Sequence, residues 1–257
     1  MHILRILAVF GLILLSMAAS LIASAQVTLE KTGLSDPSKL IVFRGTYYAT
    51  VENATVSNME IRGNIVIEAS NVTMRNVRLV SDVPWHALRV MEGTTGFRLE
   101  DSEINGLGRT VNAIYGFGTF LRNDIHGVEN GINVVAPSIV RGNYIHDLGA
   151  GPDGHYDGIE INGGHDIQIV GNRIVNEHDQ TSAVMMNNEF SGLSRITIEN
   201  NVLFGGGYTI YLDGRKGGGD VDDTSIRITG NQIGGGRWGD FAFYDSRPTL
   251  KDNTTRK

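Results

Sequence analysis

The chain has 257 residues, seven histidines and no cysteine, with 22 basic against 28 acidic side chains for a net charge of −6. That length buries a sizeable core in one or two domains, and no disulfide can staple it. A net acidic chain does not neutralise a phosphate backbone wholesale, which excludes nucleic acid as a general partner. Five prolines and 41% apolar content exclude collagen and disorder. Glycine, at 33 residues, is roughly twice its usual share of about 7%, the first sign of many tight corners.

In chain order, the first segment reads as an address. Arg5 precedes an apolar run from Ile6 to Leu15, and the stretch closes on Ala23-Ser24-Ala25, the small-x-small pattern of a signal-peptidase site. The expectation is a signal peptide over 1–25, cleavage before Gln26, a secreted or periplasmic location and no membrane contact afterwards. An uncleaved anchor is the alternative, because about 20 apolar residues span a bilayer. Residues 26–257 are expected to form a single monomeric domain, with 26–50 as an N-terminal strand and cap over the first repeat.

The remainder repeats. Alternating apolar residues, an asparagine and one more apolar residue recur over 120–125, 140–145, 169–174, 198–203 and 228–233, with the asparagine at 123, 143, 172, 201 and 231. The series ends raggedly at Asn253, and weaker early copies put Met59, Val77 and Ser102 at that position. A second series of short alternating runs is interleaved, over 87–90, 113–116, 131–134, 158–161, 183–186, 209–212 and 242–245. Each repeat therefore holds at least two period-2 strands between Gly, Asn and Asp corners. Helical periodicity is absent. A unit of roughly 20–30 residues with no helix cannot bury its apolar face alone, so copies must stack. Asparagine at one register in successive copies suits an amide ladder inside a bend. The pattern resembles the right-handed parallel β-helix of the pectate-lyase-like superfamily over about residues 40–253. That resemblance implies an all-β solenoid of about eight or nine coils.

Neighbouring residues of a strand face opposite ways, so if Ile159 and Ile161 fill the core, Glu160 and Asn162 face out. The outward row in line with Glu160 is Arg89, Tyr115, Asn133, Glu160, Met185, Tyr211 and Tyr244. The next row is Met91, Phe117, Val135, Asn162, Asn187, Asp213 and Ser246. Aromatics, amides and single charges are the lining expected where a sugar ring stacks and its hydroxyls are hydrogen-bonded. A face covered by long loops is the alternative.

The segment from Gly151 to Ile161 is the most informative. His155, Asp157 and Glu160 supply a general acid, a general base or cation ligands within one small region. Asp157 also lines up with His86, Asn112, Asn130, Ser182, Tyr208 and Phe241, and so reads equally as one rung of a bend-capping polar row. The stretch Asp157-Gly158-Ile159-Glu160-Ile161 resembles the Asn-Thr-Asp-Gly-Phe-Asp-Ile stretch of polygalacturonase-type glycosidases, which implies a catalytic Asp157. In the same resemblance Asn176-Glu177-His178-Asp179 stands at the family's Asp-Asp pair, Gly206-Gly207-Tyr208 at its Gly-His-Gly, and Arg215-Lys216 loosely at its Arg-Ile-Lys. His178 breaks the pair and the third site has no histidine, whereas hydrolysis needs two correctly spaced carboxyl groups.

The competing chemistry is β-elimination by a polysaccharide lyase, or uronate epimerisation. Both remove the proton α to a uronate carboxylate, and both need that carboxylate neutralised and a base beside it. The reading adopted is an exported protein that cleaves or modifies an acidic polysaccharide by β-elimination. Its catalytic candidates are His155, Asp157 and Glu160. Its substrate contacts are Arg89, Tyr115, Asn133, Tyr156, Asn162, Tyr211, Arg215 and Lys216. Calcium held by Asp153, Asp157 and Glu160 is the cofactor option. Polygalacturonase-type hydrolysis and non-catalytic polysaccharide binding or surface architecture are the alternatives.

Overall fold

The computed structural model describes residues 30–151 and 153–256; the expected signal segment lies outside them. Short alternating runs separated by glycine and asparagine corners give strands that stack coil upon coil. Three faces result. An entry face, including Arg98–Glu100, Leu193–Glu199 and Ile226–Thr229, leads into a tight bend. An exit face leaves that bend, with Tyr144–His146, Arg173–Asn176, Val202–Gly205 and Gln232–Gly234. A front face follows, with His86–Val90, Asp157–Ile161, Ser182–Asn187 and Tyr208–Asp213. The long strands Glu103–Leu121 and Asp124–Arg141 run through all three faces. Paired strands run parallel, each against its counterpart one coil away, as in Ile145 beside Ile174, Ile174 beside Leu203 and Ile159 beside Val184. The architecture is an all-β parallel solenoid, and among the described residues only two short 3-10 turns are helical.

The inward positions explain why the copies must stack. Leu88, Ile114, Ile132, Ile159, Val184 and Ile210 form one fully buried column behind the front face. Each covers the residue of the coil below, so no single coil has a core of its own. At the bend between entry and exit faces, the residue before the asparagine takes a left-handed backbone, either a glycine as at Gly142 and Gly171, or a residue such as Asn200 at φ 55°. The asparagines behind it are fully buried at 123, 172, 201 and 231. The amide of Asn172 donates to Val140 O (2.9 Å) and to Asn201 Oδ1 (2.9 Å). Its oxygen accepts from the backbone N–H of Asn143 (2.9 Å) and from Asn143 Nδ2 (3.0 Å). Both donors and both lone pairs are used, the condition for burying an amide without penalty.

The segment over residues 30–40 precedes the first strand. Gly33 donates its N–H to Arg122 O (2.9 Å), and Asp36 exchanges hydrogen bonds with the Asn76 amide, so this segment runs along the flank beside the asparagine bend. Polar groups at that corner satisfy its backbone, which an apolar coil end would not. The first coil begins with Ile41–Ala49 paired to Thr55–Ile67, and Ile41 and Tyr48 remain 72% and 57% exposed. Among the described residues no helix is long and apolar enough to cross a membrane.

Candidate active site on the front face

Strand pairing sets one outward row: Arg89 beside Tyr115, Tyr115 beside Asn133, Asn133 beside Glu160, Glu160 beside Met185 and Met185 beside Tyr211. In the last coil the row ends on Ala242, not Tyr244, because Tyr211 pairs with Ala242 and Asp213 with Tyr244. The two-residue shift puts Phe241 and Phe243 beside Ile210 and Leu212, where their rings pack on the core. Burying two phenyl rings outweighs the alignment of the tyrosines.

Glu160 is the centre of the row and is pinned by amides from three directions. Asn133 Nδ2 (2.5 Å) and Asn130 Nδ2 (3.1 Å) donate to its Oε2, and Asn162 Nδ2 (2.8 Å) donates to Oε1. Asn162 Oδ1 in turn accepts from Asn187 Nδ2 (2.7 Å). Burial pushes the Glu160 carboxyl above the ordinary range, against the lowering influence of the Asn162 and Asn133 amides. Asp157 lies behind it, 2% exposed. Burial, then the neighbouring Glu160 charge, push Asp157 well above the ordinary carboxylate range. The Glu129 charge, not Asp157, is the one that adds to burial in raising Glu160.

Asp157 also occupies a polar row behind the face. Its backbone N–H donates to Asn130 Oδ1 (3.1 Å), its Oδ1 accepts the Ser182 N–H (3.0 Å), and Asn130 Nδ2 donates to Asn112 Oδ1 (3.3 Å). Asn112 Nδ2 reaches His86 Nδ1 at 3.2 Å, and the His86 ring stacks on Tyr115 with centroids 4.4 Å apart. Burial, then the nearby Arg89, lower the His86 proton affinity, which suits a neutral ring accepting from Asn112. Asn133 Oδ1 is a buried acceptor with no hydrogen-bond partner.

The remaining expected residues divide. His155 is exposed at the edge of the Glu160 coil, with its N–H on Glu129 Oε1 (3.0 Å). Arg89 is exposed at one end of the row. Tyr156 is not a substrate contact. It takes φ 51°, turns into the core, stacks on His178 at 3.6 Å and donates its hydroxyl to Gly151 O (2.7 Å). A phenol ring gains more from burial against an imidazole than from solvent. Arg215 forms a two-point pair with Asp213 (2.7 and 2.8 Å), lies over the Tyr244 ring at 4.0 Å and holds Asp213 at a pKa of about 2. Tyr211 donates to Asp213 as well (3.3 Å). Arg215 is therefore committed within the protein, and exposed Lys216 extends beyond it. The calcium set does not assemble. Asp153 is exposed on the loop while Asp157 is sealed behind the face, and among the described residues no three His, Asp or Glu side chains are grouped to hold a metal ion.

The side chains at the polygalacturonase-like positions 177–179 are engaged in contacts of their own. Glu177 accepts the Asp147 N–H, His178 donates to Leu148 O, and Asp179 pairs with Arg237. Asn130 was already legible as a rung of the polar row with Asp157, whereas Glu129 is the neighbour of His155 that the alternating pattern alone did not select. The sequence signal for Glu129 was position: it stands before Asn130-Gly131 as Tyr156 stands before Asp157-Gly158.

No family model matches the chain, and no curated protein does. Among solved structures it is similar to the A-module of the mannuronan C-5 epimerase of Azotobacter vinelandii, at 13% identity over 89% of this chain and 94% of that one, with a TM-score of 0.19.

Proposed function

We propose that this protein is an exported carbohydrate-active enzyme that acts on an acidic polysaccharide by removing the proton α to a uronate carboxylate. The fold we assign to it is a right-handed parallel β-helix of eight or nine coils with an asparagine ladder. The observation that carries the functional reading is the Glu160 carboxyl at the centre of an outward row, held by the amides of Asn130, Asn133 and Asn162 with Asp157 buried behind it, so that burial raises the proton affinity of both carboxyls. A carboxyl of this kind keeps a proton where an ordinary one has lost it. Glu160 in that form meets the sugar carboxylate without repulsion and donates a hydrogen bond to it, so charge developing at the α-carbon is stabilised. His155, exposed beside it, takes the α-proton. The electron pair left on carbon forms a double bond as the bond to the glycosidic oxygen breaks, and that oxygen leaves with the proton His155 has taken up, which returns the imidazole to its neutral form. Arg89 binds a carboxylate further along the chain; local field, not net charge, governs this docking. Hydrolysis is disfavoured because Asp157, the residue matched to the glycosidase motif, is buried with its Oδ1 on a backbone N–H.

Turnover of polygalacturonate, polymannuronate and polyglucuronate tests the reading. Unsaturated products are read by absorbance, chain breaks as reducing ends, and α-proton exchange in deuterium oxide. Unsaturated product, lost in His155→Ala and Glu160→Leu with folding intact, is the expected result. Label exchange without chain breakage would identify epimerisation at the same site. Full turnover in both variants would remove the assignment, and saccharide binding without turnover of any polymer would make the protein a binding module.

A further inference from the structure

Trp85 and Trp238 are 68% and 60% exposed, although indole is among the side chains that gain most from burial. Both occupy the same register, one residue before the polar row behind the front face. That row runs from His86 through Asn112, Asn130, Asp157, Ser182 and Tyr208 to Gly239. Backbone hydrogen bonds tie the indole positions into the same ladder. Asn112 N–H donates to Trp85 O (2.7 Å), and a chain of bonds joins Tyr156, Thr181, Gly207 and Trp238 (2.8 to 3.0 Å). The Glu160 coil lies midway, three pairings from each end. Six steps of about 4.8 Å put the indole positions roughly 29 Å apart along the axis, the length of about five or six linked pyranose rings.

Between the two indoles this register carries Val111 and Glu129, both partly exposed, then Tyr156, which is turned inward, and Thr181 and Gly207, which are small. The Trp238 ring is held rather than loose. It lies over Gly207, where an added Cβ would stand 2.5 Å from its Cζ3, and it tilts against Tyr208 at 5.8 Å, with the neighbouring Arg237 tied to Asp179. A fixed ring loses little entropy on binding. Two separate ring faces joined by a row of amide and carboxyl groups do not make the contiguous apolar patch of a protein interface. They match a sugar chain, whose rings offer C–H faces and whose edges offer hydroxyls.

Resting on the function proposed above, we infer that Trp85 and Trp238 are the end platforms of one track, about five or six sugars long, for an oligosaccharide lying along the coil axis with Glu160 at its middle. These are the chain's two tryptophans, so intrinsic emission reads the platforms directly. The probes are galacturonate and mannuronate oligomers from dimer to octamer, with binding measured by calorimetry and emission recorded in Trp85→Phe and Trp238→Phe, each reporting the other end. Affinity is expected to rise up to about the hexamer and then level off. Long oligomers, but not dimers, are expected to shift the emission of both variants. Trp85→Ala or Trp238→Ala should weaken hexamer binding about 5- to 30-fold and flatten the rise of affinity with oligomer length. Oligomers that bind or turn over with no emission change, or with affinity flat beyond the trimer, would overturn the end platforms and leave the Glu160 reading standing. Wild type that neither binds nor turns over any oligomer would overturn both.

Discussion

Replacing Asn172 by leucine tests what holds consecutive coils together. The two side chains are similar in volume, so the change is chiefly in hydrogen bonding. Leucine removes four bonds: those to Val140 O and Asn201 Oδ1, and those from the N–H and Nδ2 of Asn143. Asn201 Oδ1 still accepts the Asn172 backbone N–H, and Asn143 Nδ2 still donates to Phe120 O. The Asn143 N–H and one hydrogen of its amide are left in a site closed to water. At about 1–3 kcal/mol for each orphaned buried group, the loss is roughly 2–6 kcal/mol. Asn253, in the last coil, is partly exposed and accepts the same two bonds from Asn231 (2.9 and 3.0 Å). The donors there belong to Asn231, which is fully buried as well, so Asn253→Leu should cost a similar roughly 2–6 kcal/mol. Urea denaturation followed by far-UV circular dichroism measures both, with the slope checked to be constant. A loss of less than about 1 kcal/mol at either position would refute the view that satisfied amides tie the coils.

Asp157 binds its proton more tightly folded than unfolded. Its contribution is therefore complete below about pH 4 and is lost as pH rises through the folded value. Asp157→Asn keeps an oxygen for the Ser182 N–H, so it should raise the urea midpoint at neutral pH and flatten its decline between about pH 4 and 8; an unchanged profile would mean that the carboxyl is not perturbed. Gly205 sits at φ 84° with its added Cβ 1.8 Å from Asn176 O. Gly205→Ala should thus cost more than about 3 kcal/mol by forcing backbone apart, while a loss below about 1 kcal/mol would show that the exit face yields easily. Arg89→Met should raise KM on a polyuronate and weaken its salt dependence with kcat little changed; a loss confined to kcat would move Arg89 into the chemistry.

The sequence by itself determined the parallel all-β architecture. Apolar alternation is a local property of each strand, and a unit with one apolar face and no helix has to stack on its copies. It also determined which side chains of a strand point out, so Arg89, Tyr115, Asn133, Glu160 and Tyr211 could be read as one row, which pairing then places side by side. Tertiary structure decided everything that depends on the neighbouring coil. The last coil slips by two residues because Phe241 and Phe243 take the core positions. Tyr156 leaves the surface because a left-handed backbone at φ 51° turns it onto His178, 22 residues further on. Glu160 gains its amide partners from Asn130 and Asn133, one coil earlier, and the Asp157 carboxyl is raised by burial that only the stacked coils create. Alternation is written between adjacent residues, whereas cross-coil contacts depend on loop lengths and on which rings win the core.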